Sequence, residues 1–425
     1  MGRSLWKACA GEKKTDGMMT EKSDRRTERM KLTEEWNKKT IELAQALIRS
    51  RSLSGNEGEA AAVLKDYMER TGIYDEVMTD RLGNVIGHIK GKNPGSRLLF
   101  DGHIDTVPAG NPSGWTHDPF GGDIADGRLY GRGASDMKGA VAAFTTGAEM
   151  FARLCGKDFS GDIYVAGVVQ EECFEGVAAR SVSAAVKPDY VVIGEASEMN
   201  LKIGQRGRAE IVVETFGVPA HSANPEKGVN AVYKMCGVIE ALQKLTPPEH
   251  PVLGRGILEL TDVKSMPYPG ASVVPEYCRA TYDRRLLTGE TRESVLKPIL
   301  EKIEELQSRD PKLKVKVSYA SGKDLCYTGK EISAERFFPG WLFGGKEAYI
   351  QKIKDELEAM GYRPQLACYN FCTNGSHYAG EAGIPVIGLG PSCESLAHVI
   401  DESISLKELT EVSECYAGVC RALLR

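Results

Sequence analysis

The stretch LLFDGHIDTVP, residues 98–108, begins as an apolar strand and ends with His103 and Asp105 two residues apart. Along an extended chain, side chains i and i+2 leave the same face. The imidazole and the carboxylate therefore point together, beyond the run Leu98, Leu99 and Phe100. Taken alone, the pair reads as a polar strand end, with Asp105 capping a turn and His103 in water. Its meaning depends on what the rest of the chain brings beside it.

The chain has 425 residues, more than one hydrophobic core usually supports, so two domains are expected. A composition of 42% hydrophobic and 27% charged residues is that of a globular protein, and a net charge of -5 offers no basic excess for nucleic acid. No apolar run reaches the roughly 20 residues that span a membrane. The eleven cysteines are odd in number and scattered, which fits reduced thiols in a cytoplasm rather than a disulfide framework. Cys368 and Cys372 with His377 lack a fourth ligand and read as core packing. Residues 1–30 are polar, mixed in charge and free of a signal-peptide core, and are expected to form a disordered tail.

From residue 32, LTEEWNKKTIELAQALIRS repeats apolar residues at helical spacing, and a second helix is predicted over 57–71. Short aliphatic runs bounded by glycine follow at 85–89, 97–100, 163–169, 190–193 and 385–389, the pattern of a sheet covered by helices. Between them, from Gly207, polarity alternates along the strands. The order becomes strand, helix (224–245), strand, strand, helix, strand, a split β-α-β-β-α-β unit. The expected division is a catalytic part at 31–206, a ferredoxin-like α+β insert at 207–321 and a second catalytic part at 322–425.

More acids and a histidine stand where apolar strands end or helices begin, and ligands of open α/β sheets bind beyond the carboxyl ends of strands. Asp136 closes the glycine-rich GRLYGRGASD before an apolar helix. Glu171 and Glu172 follow IYVAGVV, Glu195 follows YVVI, and His398 precedes the last helix. Adjacent carboxylates at a strand end repel unless cations or protons compensate them. Imidazoles and carboxylates of this mixture are ligands for zinc, cobalt or manganese. A two-metal site of this kind polarises a carbonyl and acidifies a bridging water. Glu171 then reads as the base that takes the water's proton, and Asp105 as the residue that orients His103 through its other ring nitrogen.

Taken together, GHIDTVP, YGRGASDMKG, QEE, GEAS, GVPAHSANPEKGVNA, DRR and the late histidine resemble the M20 family of di-zinc peptidases and amidohydrolases, from about residue 32 to the end. That family includes succinyl-diaminopimelate desuccinylase, acetylornithine deacetylase and glutamate carboxypeptidase. The resemblance implies that Asp136 bridges two divalent ions, with His103 and Glu195 on one and Glu172 and His398 on the other. It implies Glu171 as general base and a cis peptide after Asp136. It further implies a homodimer through the inserted lid, in which His221 stabilises the oxyanion in the partner's site. Arg285 matches the arginine that binds the carboxylate of a small-molecule substrate. FCTNGSHYAG and the aromatic segment 327–351 look most like a subgroup of hydrolases linked to selenium metabolism, and place Asn374, Gly375 and Ser376 near the substrate on resemblance only. Ser272 departs from the asparagine of many members. Glu195, where aminopeptidase-like members tend to have Asp, leans towards deacylase or carboxypeptidase chemistry.

The expected activity is hydrolysis of an amide or peptide bond in an N-acyl amino acid or small peptide with a free carboxylate. A dipeptidase and a non-catalytic metal-binding protein of the same fold are the alternatives. A nucleotide-binding oxidoreductase fails because Asp136 stands where a third glycine is needed, and a serine hydrolase fails because no G-x-S-x-G occurs. His88, His117, His250 and His377 are expected to be ordinary strand or loop residues, and Asp101 has no assigned role.

Overall fold

The computed structural model describes residues 20–425, with side chains from residue 33. Helix α1 (Thr20–Arg49) begins inside the expected tail. Residues 1–19 lie outside the described residues. The stretch from Thr20 lacks glycine and proline and is rich in Glu, Lys and Arg, good helix formers. Reading only for an apolar stripe missed it.

The remaining catalytic elements of the first part are α2 (Gly58–Thr71), β1 (Glu76–Thr79), β2 (Val85–Lys90), β3 (Asn93–His103), α3 (Lys138–Leu154), β4 (Ser160–Val168), α4 (Ala179–Val186), β5 (Tyr190–Ile193) and β6 (Leu201–Gln205). The insert adds β7 (Gly207–Phe216), α5 (Ala231–Leu242), β8 (Ile257–Met266), β9 (Tyr277–Leu286), α6 (Arg292–Arg309) and β10 (Lys314–Tyr319). The chain then returns through β11 (Trp341–Leu342), α7 (Ala348–Met360), β12 (Leu366–Tyr369), β13 (Val386–Gly388) and α8 (Leu406–Leu424).

The large sheet runs β1-β2-β4-β3-β5-β13-β6-β11, with β12 also on β6. Its centre, β4-β3-β5-β13, is parallel, so these strands deliver their carboxyl ends to one edge. Phe100 of β3, Phe144 of α3 and Tyr416 of α8 meet as an aromatic triangle with centroids 5.5 to 6.0 Å apart, fixing both helices over the central strand. Among the described residues no helix is long and apolar enough to cross a membrane.

The lid sheet has the order β8-β9-β7-β10, antiparallel throughout, and its own core around Ile211, Tyr282 and Ile299. Helix α5 starts later than predicted because Asn230, not Asn224, caps it, its side chain accepting from Val232 and Tyr233 N–H. Residues after the lid do not return directly. A hairpin, Ser321–Leu325 against Glu331–Glu335, lies over the catalytic part. There Tyr327 Oη donates to the Gly83 carbonyl at 3.1 Å, and Thr328 Oγ1 to the Arg81 carbonyl at 2.9 Å. The first turn of the aromatic segment is therefore a strap between the two parts.

Candidate active site

Parallel neighbours β3, β4 and β5 end side by side, and each end supplies acid or imidazole. His103 is the last residue of β3. Glu171 and Glu172 follow β4 after Gln170, which turns the chain with a positive φ of 58°. Glu195 follows β5 by two residues. Asp136 comes from the loop before α3, and the Asp136–Met137 peptide is cis. His398 comes from the loop before α8.

These six side chains converge. His103 Nε2 lies 2.8 Å from Asp136 Oδ1 and 3.5 Å from Glu195 Oε1. His398 Nε2 lies 3.1 Å from both Asp136 Oδ2 and Glu172 Oε1. Asp136 thus offers one oxygen to each histidine, with Glu195 on one side and Glu172 on the other. Single ligand atoms of His103, Asp136 and Glu172 fall within 4.8 Å of one another, as do those of His103, Glu171 and Glu195. Such a spacing suits cations held by nitrogen and oxygen donors.

His103 Nδ1 meets the Asp105 backbone carbonyl at 2.9 Å and the Asp105 carboxylate only at 3.5 Å. That carboxylate is engaged elsewhere: Oδ1 accepts from Glu171 N–H, and Oδ2 from Glu172 N–H and Ser54 Oγ, at 2.7 to 3.1 Å. Asp105 therefore orients the ring chiefly through its carbonyl, while its side chain fixes the loop that carries both glutamates.

The electrostatics follow from crowding acids in a buried place. Burial, then the charges of Glu195, Glu172 and Glu175, push the Glu171 carboxyl well above its ordinary range, against His103. Burial and Asp136 do the same to Glu195. Burial also opposes ionisation of Asp136, but the bonds from His103 and His398 outweigh it and hold its carboxyl below the usual range. Bonds to Asp136 and Glu172 raise His398 to about 10. So many acids around one centre call for positive charge. Glu171 Oε1 is buried with no hydrogen-bond partner among the described residues, an oxygen left open towards the cavity.

The site opens into a cavity of about 400 Å³ lined by Glu171, Glu175, Arg208, Arg285, Phe371 and Glu394 together with the acidic cluster. Arg285 reaches it from lid strand β9, its Nε on Asp283 Oδ1 at 2.8 Å. Its predicted neighbours differ. His221 is exposed on the lid, its Nδ1 accepting from Ala223 N–H, and does not line this cavity. Asn374 is buried and spends both ends internally, donating to Asp101 at 2.8 Å and accepting from Gly176 N–H at 2.9 Å. Gly375 and Ser376 are buried beside it and likewise do not line the cavity. The resemblance points this trio at the substrate; in the fold Asn374 and Tyr378 anchor Asp101. Asp101 thus gains a role, tying β3 to the 374–378 turn. His88 is bonded to Asp162, His377 to Glu381, and both stay off the cavity.

Three residues escaped the sequence reading. Glu402, fully buried, accepts at Oε1 from the N–H groups of Gly133, Ser135 and Asp136 at 2.9 to 3.0 Å and binds Arg132 Nη1 at 2.5 Å through Oε2. It shapes the loop that presents Asp136. The signal was its place four residues after His398. Arg208 and Glu175, paired at 2.7 Å, line the same cavity. Only the strand register, invisible locally, brings Arg208 there.

A profile of Peptidase family M20/M25/M40 matches residues 99–422. An uncharacterized protein, YgeY, of Escherichia coli K12 is 32% identical over 374 residues, covering 87% of this chain and 90% of its own. Succinyl-diaminopimelate desuccinylase 2 of Ruegeria sp. TM1040 is 27% identical, covering 90% and 94%. Among solved structures, the Bacillus subtilis YXEP protein, described as a dinuclear metal binding peptidase from the M20 family, superposes with a TM-score of 0.68 at 14% identity, over 91% of this chain and 98% of that one. With the acid and imidazole cluster at the strand ends, these matches establish that the chain belongs to peptidase family M20/M25/M40, as a metal-dependent hydrolase of amide or peptide bonds.

Proposed function

We propose that the chain hydrolyses the amide of an N-acyl amino acid or small peptide bearing a free carboxylate, with two divalent ions, zinc foremost, held by His103, Asp136, Glu172, Glu195 and His398. One observation carries this reading: the two oxygens of Asp136 face two different histidines, each with its own second carboxylate. Two imidazoles and three carboxylates form a donor set for which zinc, cobalt and manganese compete. When bound, such ions polarise the scissile carbonyl and acidify a water.

The chain's own groups supply the rest. Glu171, with its partnerless buried oxygen, takes the attacking water's proton and returns it to the leaving nitrogen. The Asp105 carbonyl fixes the His103 ring so that Nε2 faces the Asp136 and Glu195 carboxylates. Arg285 lines the cavity and, among the described residues, bonds only through Nε, leaving its terminal nitrogens as a planar fork suited to a carboxylate. His221 lies outside the cavity of its own chain, which supports a homodimer through the lid in which it serves the partner's site. Among the described residues the ten cysteines are free thiols, which fits a reducing compartment such as the cytoplasm.

The test is a screen of N-acyl amino acids and dipeptides against the zinc- or cobalt-loaded protein, with Glu171→Gln as control. The variant should lose turnover and retain its metal content. Turnover surviving in Glu171→Gln would sink the mechanism, and a protein that binds no divalent ion would sink the site.

A further inference from the structure

We infer that Arg208 is a positioning residue that links the substrate-carboxylate arginine of the lid to the loop carrying the base. The link is a chain of ion pairs, Glu175–Arg208–Asp283–Arg285. The inference rests on the readings of Arg285 and Glu171 given above.

Arg208 of β7 and Arg285 of β9 are direct cross-strand partners, so their side chains leave the same face of the lid sheet, the face towards the cavity. Asp283, two residues before Arg285, shares that face. Its Oδ2 accepts from Arg208 Nε at 3.0 Å and its Oδ1 from Arg285 Nε at 2.8 Å, so one carboxylate aligns both guanidinium groups. At its other end Arg208 donates Nη1 to Glu175 Oε1 at 2.7 Å.

Glu175 belongs to the catalytic part. It closes a tight turn that begins with the glutamates: Phe174 N–H donates to the carbonyls of Gln170 and Glu171 at 2.9 and 3.1 Å. The Glu175 side chain is only 9% exposed and that of Arg208 26%, so water screens their attraction far less than it would a surface pair. Arg336, just past the lid, grips the same turn, donating to the Cys173 carbonyl at 2.6 Å with its guanidinium stacked on Phe174. The base loop is thus held from the lid side at two points, and the stronger one leads through Arg208 to Arg285. Among the described residues Arg208 bonds two carboxylates, through Nε and Nη1, whereas Arg285 bonds one, through Nε. That division of bonds makes Arg285 the receiver of a carboxylate and Arg208 the brace behind it.

The test uses the metal-loaded full chain, the best-cleaved N-acyl amino acid from the screen, and the same compound with its carboxylate converted to an amide. Arg285→Met should raise KM about tenfold for the acid and leave the amide unchanged. Arg208→Met should raise KM for the acid and also lower kcat about tenfold for both compounds, because the base loop loses its tie. Arg208→Lys, which keeps one of the two bonds, should recover most of kcat, and Glu175→Gln should lower kcat with little effect on KM. The double variant Glu175→Gln/Arg208→Met should match Arg208→Met within about twofold.

Multiplying effects in the double variant, or an Arg208→Met change confined to KM of the acid, would overturn the link and leave Arg208 a plain substrate contact. A flat KM in Arg285→Met would instead refute the carboxylate reading, a separate failure. Thermal melting and metal content check each variant. Should Arg208→Met not fold, Arg208→Lys and Glu175→Gln carry the same comparison, with equal, full kcat in both overturning the link.

Discussion

Glu402 gives the sharpest test of how the site is built. Its two oxygens have different tasks: one holds three backbone N–H groups of the 133–136 loop, the other holds Arg132, itself 3% exposed. Glu402→Gln keeps the shape and removes one acceptor. If the amide oxygen keeps the three N–H groups, its NH2 faces the Arg132 guanidinium, donor against donor. If the group flips, the NH2 faces the three N–H donors instead. Losing three bonds to a charged acceptor costs roughly 1.5–3 kcal/mol each, whereas leaving one buried charge unpaired costs about 3–5 kcal/mol. The side chain therefore keeps the N–H groups and abandons Arg132. A loss of about 3–5 kcal/mol corresponds to a fall in melting temperature of roughly 6–20 °C for a domain of this kind. Because a neutral amide oxygen then replaces a charged carboxylate on Asp136 N–H, and Arg132 beside the loop loses its partner, metal affinity should fall by roughly 10-fold as well. Thermal unfolding and competition with a metal chelator measure both. Adding Arg132→Met removes the opposed donor and should restore at least ~1 kcal/mol over Glu402→Gln alone. A Glu402→Gln protein melting within about 2 °C of the parent, or a double variant less stable than the single, would refute this account.

The strap and a surface-facing ion pair give further expectations. Gly83 has φ +110°, and a Cβ there would fall 2.2 Å from Tyr327 Cε1, so Gly83→Ala must lift the hairpin as well as strain the backbone. It should cost about 2 kcal/mol or more and speed proteolysis within 321–335; unchanged cleavage would mean that Tyr327 does not hold the strap. In Glu381, burial is outweighed by the bonds from His377 and Arg180, which lower the carboxyl to about 2 from its ordinary 4.5. A depressed acid stabilises fully above its unfolded value and loses that contribution as pH falls between those two limits. Denaturation of the parent against Glu381→Gln should show a gap of ~1–2 kcal/mol near neutral pH, since the group is partly exposed, closing by about pH 2. A gap that persists in acid would remove ionisation as its cause.

What the sequence disclosed about this site follows the range of the forces that built it. His103, Glu171, Glu172 and Glu195 stand out because each sits at or within a few residues of the end of an apolar strand, where the local pattern itself says that the chain is leaving the sheet's carboxyl edge. The strands of the second sheet stand out in the same way, as period two replaces continuous burial. Residues that act through distant partners left no such trace. Glu402 looks like a loop acid until its partner at Asp136, 266 positions away, is in place, and Asp101 was unassignable until Asn374, 273 positions on, met it. Asn374 shows the converse: a motif resemblance points it at the substrate, while in the fold its amide donates to the buried Asp101, a carboxylate that would be costly to leave without a donor. Arg208 stands between these cases. Its neighbours in sequence mark a strand start and nothing more, and its position opposite Arg285 exists only once β7 and β9 pair in register. The acids and imidazoles of the candidate site are thus written at the ends of local elements. The groups that hold them in position are written in the pairing of elements, and a reading of chemistry from sequence finds the first kind before the second.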